Sequence, residues 1–331
     1  MKGYARMIID TAYQITALGK HTPARKLTNA DLERMVDTND EWIVKRTGIR
    51  ERFLASEEEF ASDLAIRAVE DLIENTGASV ADADVVLVSA LVPDHLTPSV
   101  AALVSGRFGI RGAGTFDLHA ACSGFAYGMI TANAYLAGGL AKKVLLIAAE
   151  TLSKAVDYTD RGTCILFGDA AVAMLIERAS DNKRFAFTYG TDGDLADKVY
   201  LSAFSPSVNG VPVEKPRVIR QNGQALYTYV VRTITERITA LMDEARLTPA
   251  DIDWFIPHSA NLRMIDAMRE RLGFAREQML TSVERYGNTS SASIPLALID
   301  AVRDGRVQRG DKVLIYGFGG GLTHAGAIFE W

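Results

Sequence analysis

Hydrophobic and polar positions alternate along the chain with two periods, and the switches between them mark the elements. Arg6 to Ile15 reads as a strand. From Ser62 to Thr76 the spacing is helical, with Leu64, Ala65, Ala68, Val69 and Leu72 on one face. "DVVLVSALV", from Asp84, is an apolar run of strand length. Pro98 to Phe108 predicts a helix, "GTFDLHA" a strand, Ser123 to Ala137 an apolar helix, and "KKVLLIAAE" another strand. Strands that are apolar throughout, rather than at every second position, belong to a sheet covered on both faces.

The same order returns in the second half. Gln224 to Ala245 predicts a long helix, "DIDWFIPHSA" a strand and Arg263 to Leu272 a helix; Ile294 to Val302 is again a helix and "DKVLIYGFGGG" a strand. The recurrence keeps register. "SVADADVVLVSA" at Ser79 resembles "TPADIDWFIPHS" at Thr248, and "KKVLLI" at Lys142 resembles "DKVLIY" at Asp311. Both matches are 169 residues apart (79 to 248 and 142 to 311), about half the chain. We expect two similar α/β halves, residues 1–180 and 181–331, joined near the polar stretch Arg178 to Arg184. Functional groups should gather where the halves meet.

Composition narrows the class. The 331 residues are 48% hydrophobic and 23% charged, which suits a globular chain with a large core. The net charge of -5 argues against a broad nucleic-acid or membrane surface. No apolar run approaches the roughly 20 residues that cross a bilayer. The N-terminal "MKGYARMIIDTAYQ" does not read as a signal peptide. Two cysteines in a chain of this size fit a reducing cytoplasm better than a disulfide framework.

One of those cysteines sits oddly. Cys122, in "DLHAACSGFAYG", falls where a strand gives way to a helix, among Ala120, Ala121, Ser123 and Gly124. A helix N-terminus favours a thiolate, and small neighbours leave the sulfur reachable. A buried structural thiol is the competing reading, and for Cys164, in "TCILFGD", it is the only one. A nucleophilic cysteine needs a polar partner. His119 is close in sequence, but strand alternation points it away. His258, in "FIPHSANLR", ends a strand, where α/β sites collect. Asn288, in "YGNTSSAS", precedes a helix and reads as a cap or as a functional amide. "GFGGG", Gly317 to Gly321, fits neither a dinucleotide loop nor a P-loop; it is a tight turn or a place where backbone N–H groups approach a substrate oxygen. No histidine or cysteine spacing suggests a metal site.

Taken together, six stretches resemble the β-ketoacyl-acyl carrier protein synthase III family, condensing enzymes of the thiolase fold. They are "TNDEWIVKRTGIRER" from Thr38, "AACSGFAYG" from Ala120, "DYTDRGTCILFGDAA" from Asp157, "IPHSANLRM" from Ile256, "YGNTSSASIP" from Tyr286 and "GFGGGLTHAG" from Gly317. The resemblance implies two similar α/β halves in a layered α-β-α-β-α core. It implies a catalytic set of Cys122, His258 and Asn288, and an oxyanion hole from the N–H groups of Cys122 and Gly320. It places Trp42 and Arg161 against the adenine of coenzyme A, Arg46 near its phosphates, and Arg263, Arg269 and Arg271 toward an acidic carrier protein. Thr97, where many acetyl-using members have phenylalanine, would reach the acyl pocket across a homodimer interface and leave room for longer primers. The implied partners are acyl-CoA and malonyl-acyl carrier protein, with no metal or redox cofactor, in the cytoplasm. Two departures stand out: Ala170-Ala171-Val172 replace the usual Gly-Ala-Gly, and His324 stands where tryptophan is common. Three other readings compete with this one: a secondary-pathway acyltransferase or ketide synthase on the same residues, a non-catalytic partner subunit, and a papain-like protease. The last two fit poorly with a retained Cys122 and with alternating α/β halves.

Overall fold

The computed structural model describes residues 8–331; Arg6 and Met7, at the start of the first expected strand, lie outside them. In chain order the first half holds β1 (Ile8–His21), β2 (Arg25–Thr28), α1 (Asn29–Glu33), α2 (Asp40–Thr47), β3 (Glu51–Leu54) and α3 (Ala61–Thr76). β4 (Val85–Ser89), α4 (Val100–Arg107), β5 (Gly114–Leu118), α5 (Gly124–Ala137) and β6 (Lys143–Glu150) follow. The long β7 (Ala170–Thr191) leads to four short strands, β8 (Val199–Leu201), β9 (Ser207–Val208), β10 (Val211–Pro212) and β11 (Ile219–Gln221). The second half then holds α6 (Gly223–Tyr229), α7 (Thr235–Ala245), β12 (Trp254–Pro257), α8 (Leu262–Leu272), α9 (Val283–Tyr286), α10 (Ser293–Arg303), β13 (Lys312–Gly319) and β14 (Thr323–Glu330).

The ends of these helices are written locally. Ser99 caps α4 by accepting from the Ala102 N–H, and Asp117 accepts from the Val100 and Ala101 N–H groups beside it. Asn261 caps α8 by accepting from Arg263 N, and Gly273, at φ 79°, ends it in the left-handed region. The long helix expected over 224–245 is interrupted: a π-helical turn, Val230–Ile234, separates α6 from α7.

Side-chain alternation on the strands sorts the core into layers. Val85 and Leu87 of β4 join one buried cluster, while Val86 and Val88 join another. The second cluster is the outer layer of the first half, where Leu64, Ala68 and Leu72 of α3 and Val104 of α4 pack on the sheet. The first is the central layer. There Phe125, Met129 and Ala132 of α5 meet Ile294, Leu298 and Ala301 of α10 between strands of both halves. A third cluster closes the other side, with Leu241 of α7 and Met264 and Met268 of α8 on Phe255, Leu314 and Ile328. The result is helices, strands, helices, strands and helices, with the two central helices almost wholly apolar.

The strand order is β12-β13-β14-β7-β6-β4-β5, with β1 beside β7. β7 serves both halves: Ala170 to Glu177 pair with β6, and Ala186 to Thr191 pair with β14. The polar stretch Arg178 to Arg184 lies inside this strand, and the register with β1 slips there, from Thr11↔Lys183 to Tyr13↔Arg178. The join is a bulge in one long strand. The internal repeat is visible in the elements. β4 and β12 begin at Val85 and Trp254, β6 and β13 at Lys143 and Lys312, α5 and α10 at Gly124 and Ser293, each pair 169 residues apart. The counterpart of β5 shrinks to a single bridge, Phe255↔Met279. The two departures are absorbed by packing. Ala170, Ala171 and Val172 are fully buried and paired with β6, the last two also with β1, and His324 bonds the Tyr316 hydroxyl at 2.9 Å over Gly190, where a Cβ would lie 2.7 Å from its ring.

Candidate active site

α5 and α10 aim their N-termini at the boundary between the halves, and each is entered through a short 3₁₀ turn, Ala121–Ser123 and Ser290–Ala292. Each turn opens on a non-glycine residue in the left-handed region, Ala121 at φ 44° and Ser290 at φ 49°. They too are 169 residues apart. Such a conformation costs on the order of 1–3 kcal/mol and persists where surrounding structure enforces it. Cys122 follows Ala121 and is partly exposed. The helix field favours its thiolate, as the sequence suggested, but a stronger effect opposes it. Burial pushes the Cys122 thiol up to about 12, the nearby Glu150 acts in the same direction, and the Ser290 side chain and Cys122's own backbone N–H oppose it. The resting residue is a thiol.

His258 and Asn288 are positioned by backbone pairing. The His258 N–H donates to the Tyr316 carbonyl at 2.8 Å, extending the β12–β13 pairing by one residue. Its Nδ1 meets the Ser293 hydroxyl at 2.7 Å, and that oxygen also accepts from Ser259 N at 3.2 Å. The Ser290 carbonyl interacts with the same ring. When the Ser293 hydroxyl donates to Nδ1, the ring proton is on Nε2. Burial lowers His258 to about 3, so the ring is neutral and acts as a hydrogen-bond donor. Asn288 lies in a bridge with Phe167; its N–H donates to Leu166 O at 2.8 Å and its carbonyl accepts from Gly168 N at 3.1 Å. Its Oδ1 accepts from Ser290 N at 2.9 Å. That leaves the Nδ2 amide as the free donor.

Cys122, His258, Asn288 and Ser290 line one cavity of about 630 Å³. Its walls are mostly apolar, among them Leu91, Leu152, Phe167, Leu201, Ile219 and Phe318. The glycine run closes it: β13 turns through Gly320–Leu322 into β14, so "GFGGG" is both a turn and a wall of the site. Gly320 lines the cavity, but Gly319 is the residue pressed on Cys122. A Cβ there would lie 2.9 Å from Cys122 Cβ and 3.0 Å from its Sγ. His119, expected to point away, lines the same cavity from the end of β5. Cys164 is buried away from it, and burial raises its thiol to about 11. Among the described residues no group of three or more His, Cys, Asp or Glu is arranged to hold a metal ion, and no helix is long and apolar enough to cross a membrane.

A second cavity, about 520 Å³, holds Trp42, Arg46 and Arg263 and shares Gln221, Leu226, Ala260 and Asn288 with the first. The Arg161 and Arg46 guanidiniums stand 4.7 and 5.2 Å from the Trp42 ring centre. Arg161 also donates to the Asp37 carbonyl at 2.8 Å. The three arginines of α8 do not share one face. Arg263 and Arg271 are exposed, whereas Arg269 is folded onto the Phe274 carbonyl at 3.2 Å and paired with Glu270 and Asp266. Arg271 stands 3.8 Å from Glu236. Thr97 is exposed on the surface and does not line either cavity. The sequence reading missed Ser293, Gly319, Ser290 and Glu150. Ser290 and Ser293 stand inside "YGNTSSAS" and Gly319 inside "GFGGG", whereas nothing local pointed to Glu150.

A cysteine at the N-terminus of one central helix, sharing a cavity with a histidine and an asparagine of the other half in a five-layered duplicated fold, is the arrangement of a thiolase-fold condensing enzyme. Residues 116–193 match the family described as 3-Oxoacyl-[acyl-carrier-protein (ACP)] synthase III, and residues 242–331 match its C-terminal part. A β-ketoacyl-[acyl-carrier-protein] synthase III 2 of Halalkalibacterium halodurans is 49% identical over 319 residues, 96% of each chain. One from Bacillus subtilis is 47% identical over 319 residues, 96% of this chain and 98% of the other. The crystal structure of a synthase III from Thermus thermophilus superposes with a TM-score of 0.92 at 45% identity, covering 96% of this chain and 98% of that one. The chain belongs to the β-ketoacyl-acyl carrier protein synthase III family of decarboxylating acyltransferases.

Proposed function

We propose that the chain starts fatty acid synthesis by joining an acyl group from acyl-CoA to malonyl-acyl carrier protein. Cys122 Sγ attacks the thioester carbonyl, and the N–H groups of Cys122 and Gly320 receive the developing oxyanion. One such donor is worth about 3 kcal/mol in the transition state. Coenzyme A leaves and the acyl group remains on sulfur. Malonyl-acyl carrier protein then enters; loss of carbon dioxide leaves an enolate oxygen, held by His258 Nε2–H and Asn288 Nδ2–H. The enolate carbon attacks the acyl-cysteine and releases the β-ketoacyl product. The observation that carries this reading is the shared cavity of Cys122, His258 and Asn288, in which the Asn288 Oδ1 is occupied by Ser290 N and burial keeps His258 neutral.

The lining residues shared by the two cavities support entry of coenzyme A past Trp42, Arg46 and Arg161. Exposed Arg263 and Arg271 suit an acidic carrier protein, while Arg269, engaged within α8, is a structural residue in this reading. A homodimer formed along β5 fits the fold: β5 is a terminal strand of the sheet order, and Leu96, beside Thr97, is 70% exposed. Thr97 would then enter the partner's acyl pocket and favour primers longer than acetyl. A cytoplasmic setting agrees with two unpaired cysteines.

The test is intact-mass analysis after incubation with a panel of acyl-CoAs. The parent should gain one acyl mass, and Cys122→Ser should gain none, because an alcohol at its ordinary pKa is a far weaker nucleophile. Full acylation of Cys122→Ser would remove Cys122 from its role.

A further inference from the structure

Glu150 ends β6 fully buried, and the reaction as described does not use it. Its hydrogen-bond partners among the described residues are all donors: Oε2 accepts from Leu91 N at 2.9 Å, and Oε1 accepts from the Ser291 hydroxyl at 2.5 Å and Ser291 N at 3.3 Å. A carboxylate suits that set because both of its oxygens accept, whereas an amide would turn an NH₂ group toward a donor. Burial raises the carboxyl to about 7, and the bonds from Ser291 and Leu91 act the other way. The internal repeat shows what this contact replaces. Glu150 and Gly319 end β6 and β13, and Cys122 and Ser291 follow the two left-handed residues, each pair 169 positions apart (150 to 319 and 122 to 291). Gly319 presses on Cys122 and, having no side chain, leaves room for the sulfur. Glu150 takes the equivalent place at the entrance of α10 and grips Ser291 instead.

The turn held in this way carries the Asn288 amide. Ser290, at φ 49°, is strained by about 1–3 kcal/mol and needs its surroundings to keep it there. Its N–H donates to Asn288 Oδ1 at 2.9 Å, the bond that leaves Asn288 Nδ2 as the free donor. We propose that Glu150 is a positioning residue for the condensation: by holding Ser291 it keeps Ser290 N on Asn288 Oδ1, and so fixes the direction in which Nδ2–H meets the enolate oxygen. Each link from the carboxyl to the amide is a hydrogen bond or a peptide bond: Glu150 to Ser291, Ser291 to Ser290, Ser290 to Asn288. Glu150 touches no substrate in this role and acts on the second half-reaction through Asn288.

This inference rests on the reading of Asn288 as an enolate donor, and the experiment separates the two. Acylation by acyl-CoA, followed as intact mass, and carbon dioxide release from malonyl-acyl carrier protein would be measured at about pH 8, above the Glu150 value. Glu150→Gln keeps the size of the side chain and loses one accepting oxygen. It should slow carbon dioxide release by about 10-fold to 100-fold, as a misplaced donor does, and slow acylation far less. Ser291→Ala removes one of the three bonds to Glu150 and should show the same split to a smaller degree. In an Asn288→Ala background Glu150→Gln should slow carbon dioxide release no further, whereas in a His258→Ala background it should keep its full factor. A merely structural Glu150 would lower both half-reactions together and act equally in both backgrounds. Either of those results overturns the proposal, as does a folded Glu150→Gln that releases carbon dioxide at the parent rate. If Glu150→Gln does not fold, Ser291→Ala in the same two backgrounds decides. Parent-rate release by Asn288→Ala would overturn the enolate reading and this inference with it; a slow Asn288→Ala beside a parent-rate Glu150→Gln would overturn this inference alone.

Discussion

Gly319→Ala places one methyl group against the nucleophile and changes nothing else. The added Cβ would lie 2.9 Å from Cys122 Cβ, 3.0 Å from its backbone N and 3.0 Å from Sγ. Favourable carbon contacts lie at about 3.5–4.0 Å, so the turn carrying Cys122 must retreat by roughly 0.5–1 Å. Both strands of β13–β14 and the N-terminus of α5 are packed there, and over-filling a well-packed site typically costs about 1–3 kcal/mol. A large domain tolerates that and stays folded. Catalysis is more sensitive, because the sulfur and the proposed oxyanion donor, Cys122 N, move together; a displacement near 1 Å can cost about 100-fold. The assay is the single-turnover acylation rate by intact mass, with thermal unfolding on the same sample. Gly106→Ala, in α4, is the control, since a Cβ there meets nothing within 4 Å. We expect Gly319→Ala to acylate about 100-fold more slowly than the parent and clearly more slowly than Gly106→Ala. A folded Gly319→Ala that acylates at the parent rate would refute the claim that β13 sets the position of the nucleophile.

His258→Ala and Asn288→Ala should still accept the primer but release carbon dioxide from malonyl-acyl carrier protein about 100-fold to 1,000-fold more slowly, the usual loss for one oxyanion donor; parent-rate release in both would sink the enolate assignment. Because burial places His258 near 3, it stays neutral above that value, and the decarboxylation step should show no fall assignable to this imidazole between pH 5 and 8. A profile that tracks an imidazole near its ordinary value, and vanishes in His258→Ala, would contradict it. Arg263→Glu should weaken use of the carrier protein and leave acylation by acyl-CoA nearly unchanged, because charge reversal acts on the partner of opposite sign; equal losses in both half-reactions would point instead to its place in the Trp42 cavity. Across a series of acyl-CoAs the parent should prefer chains longer than acetyl, by about 0.8 kcal/mol per buried methylene until the pocket ends, and Thr97→Phe should shift the preference toward acetyl. Acetyl-CoA winning in the parent, with no shift in the variant, would end that idea.

Much of the architecture was legible before any coordinates. Apolar periodicity located α3, α5, α8 and α10 and the strands β4, β6, β12 and β13, because burial of one face leaves its period in the residues themselves. Repetition at 169 residues announced a duplicated fold, and the small residues around Cys122 marked an accessible sulfur at a helix entrance. What lies across a buried face leaves no such period. Glu150 and Ser291 are 141 positions apart and share a hydrogen bond; Gly319 and Cys122 come from different halves and touch. Arg269 differs from Arg263 only in which neighbours its rotamer reaches. The π-helical turn in the 224–245 helix and the bulge in β7 have no strong local signature either. The resting protonation of Cys122, His258 and Glu150 follows the same logic. Desolvation dominates each of them, and it depends on how many distant segments close over a group rather than on the residues beside it in the chain. Sequence determined which faces are buried and which residue types reach the boundary between the halves; tertiary structure alone decided which of those residues meet, and in what charge state they wait.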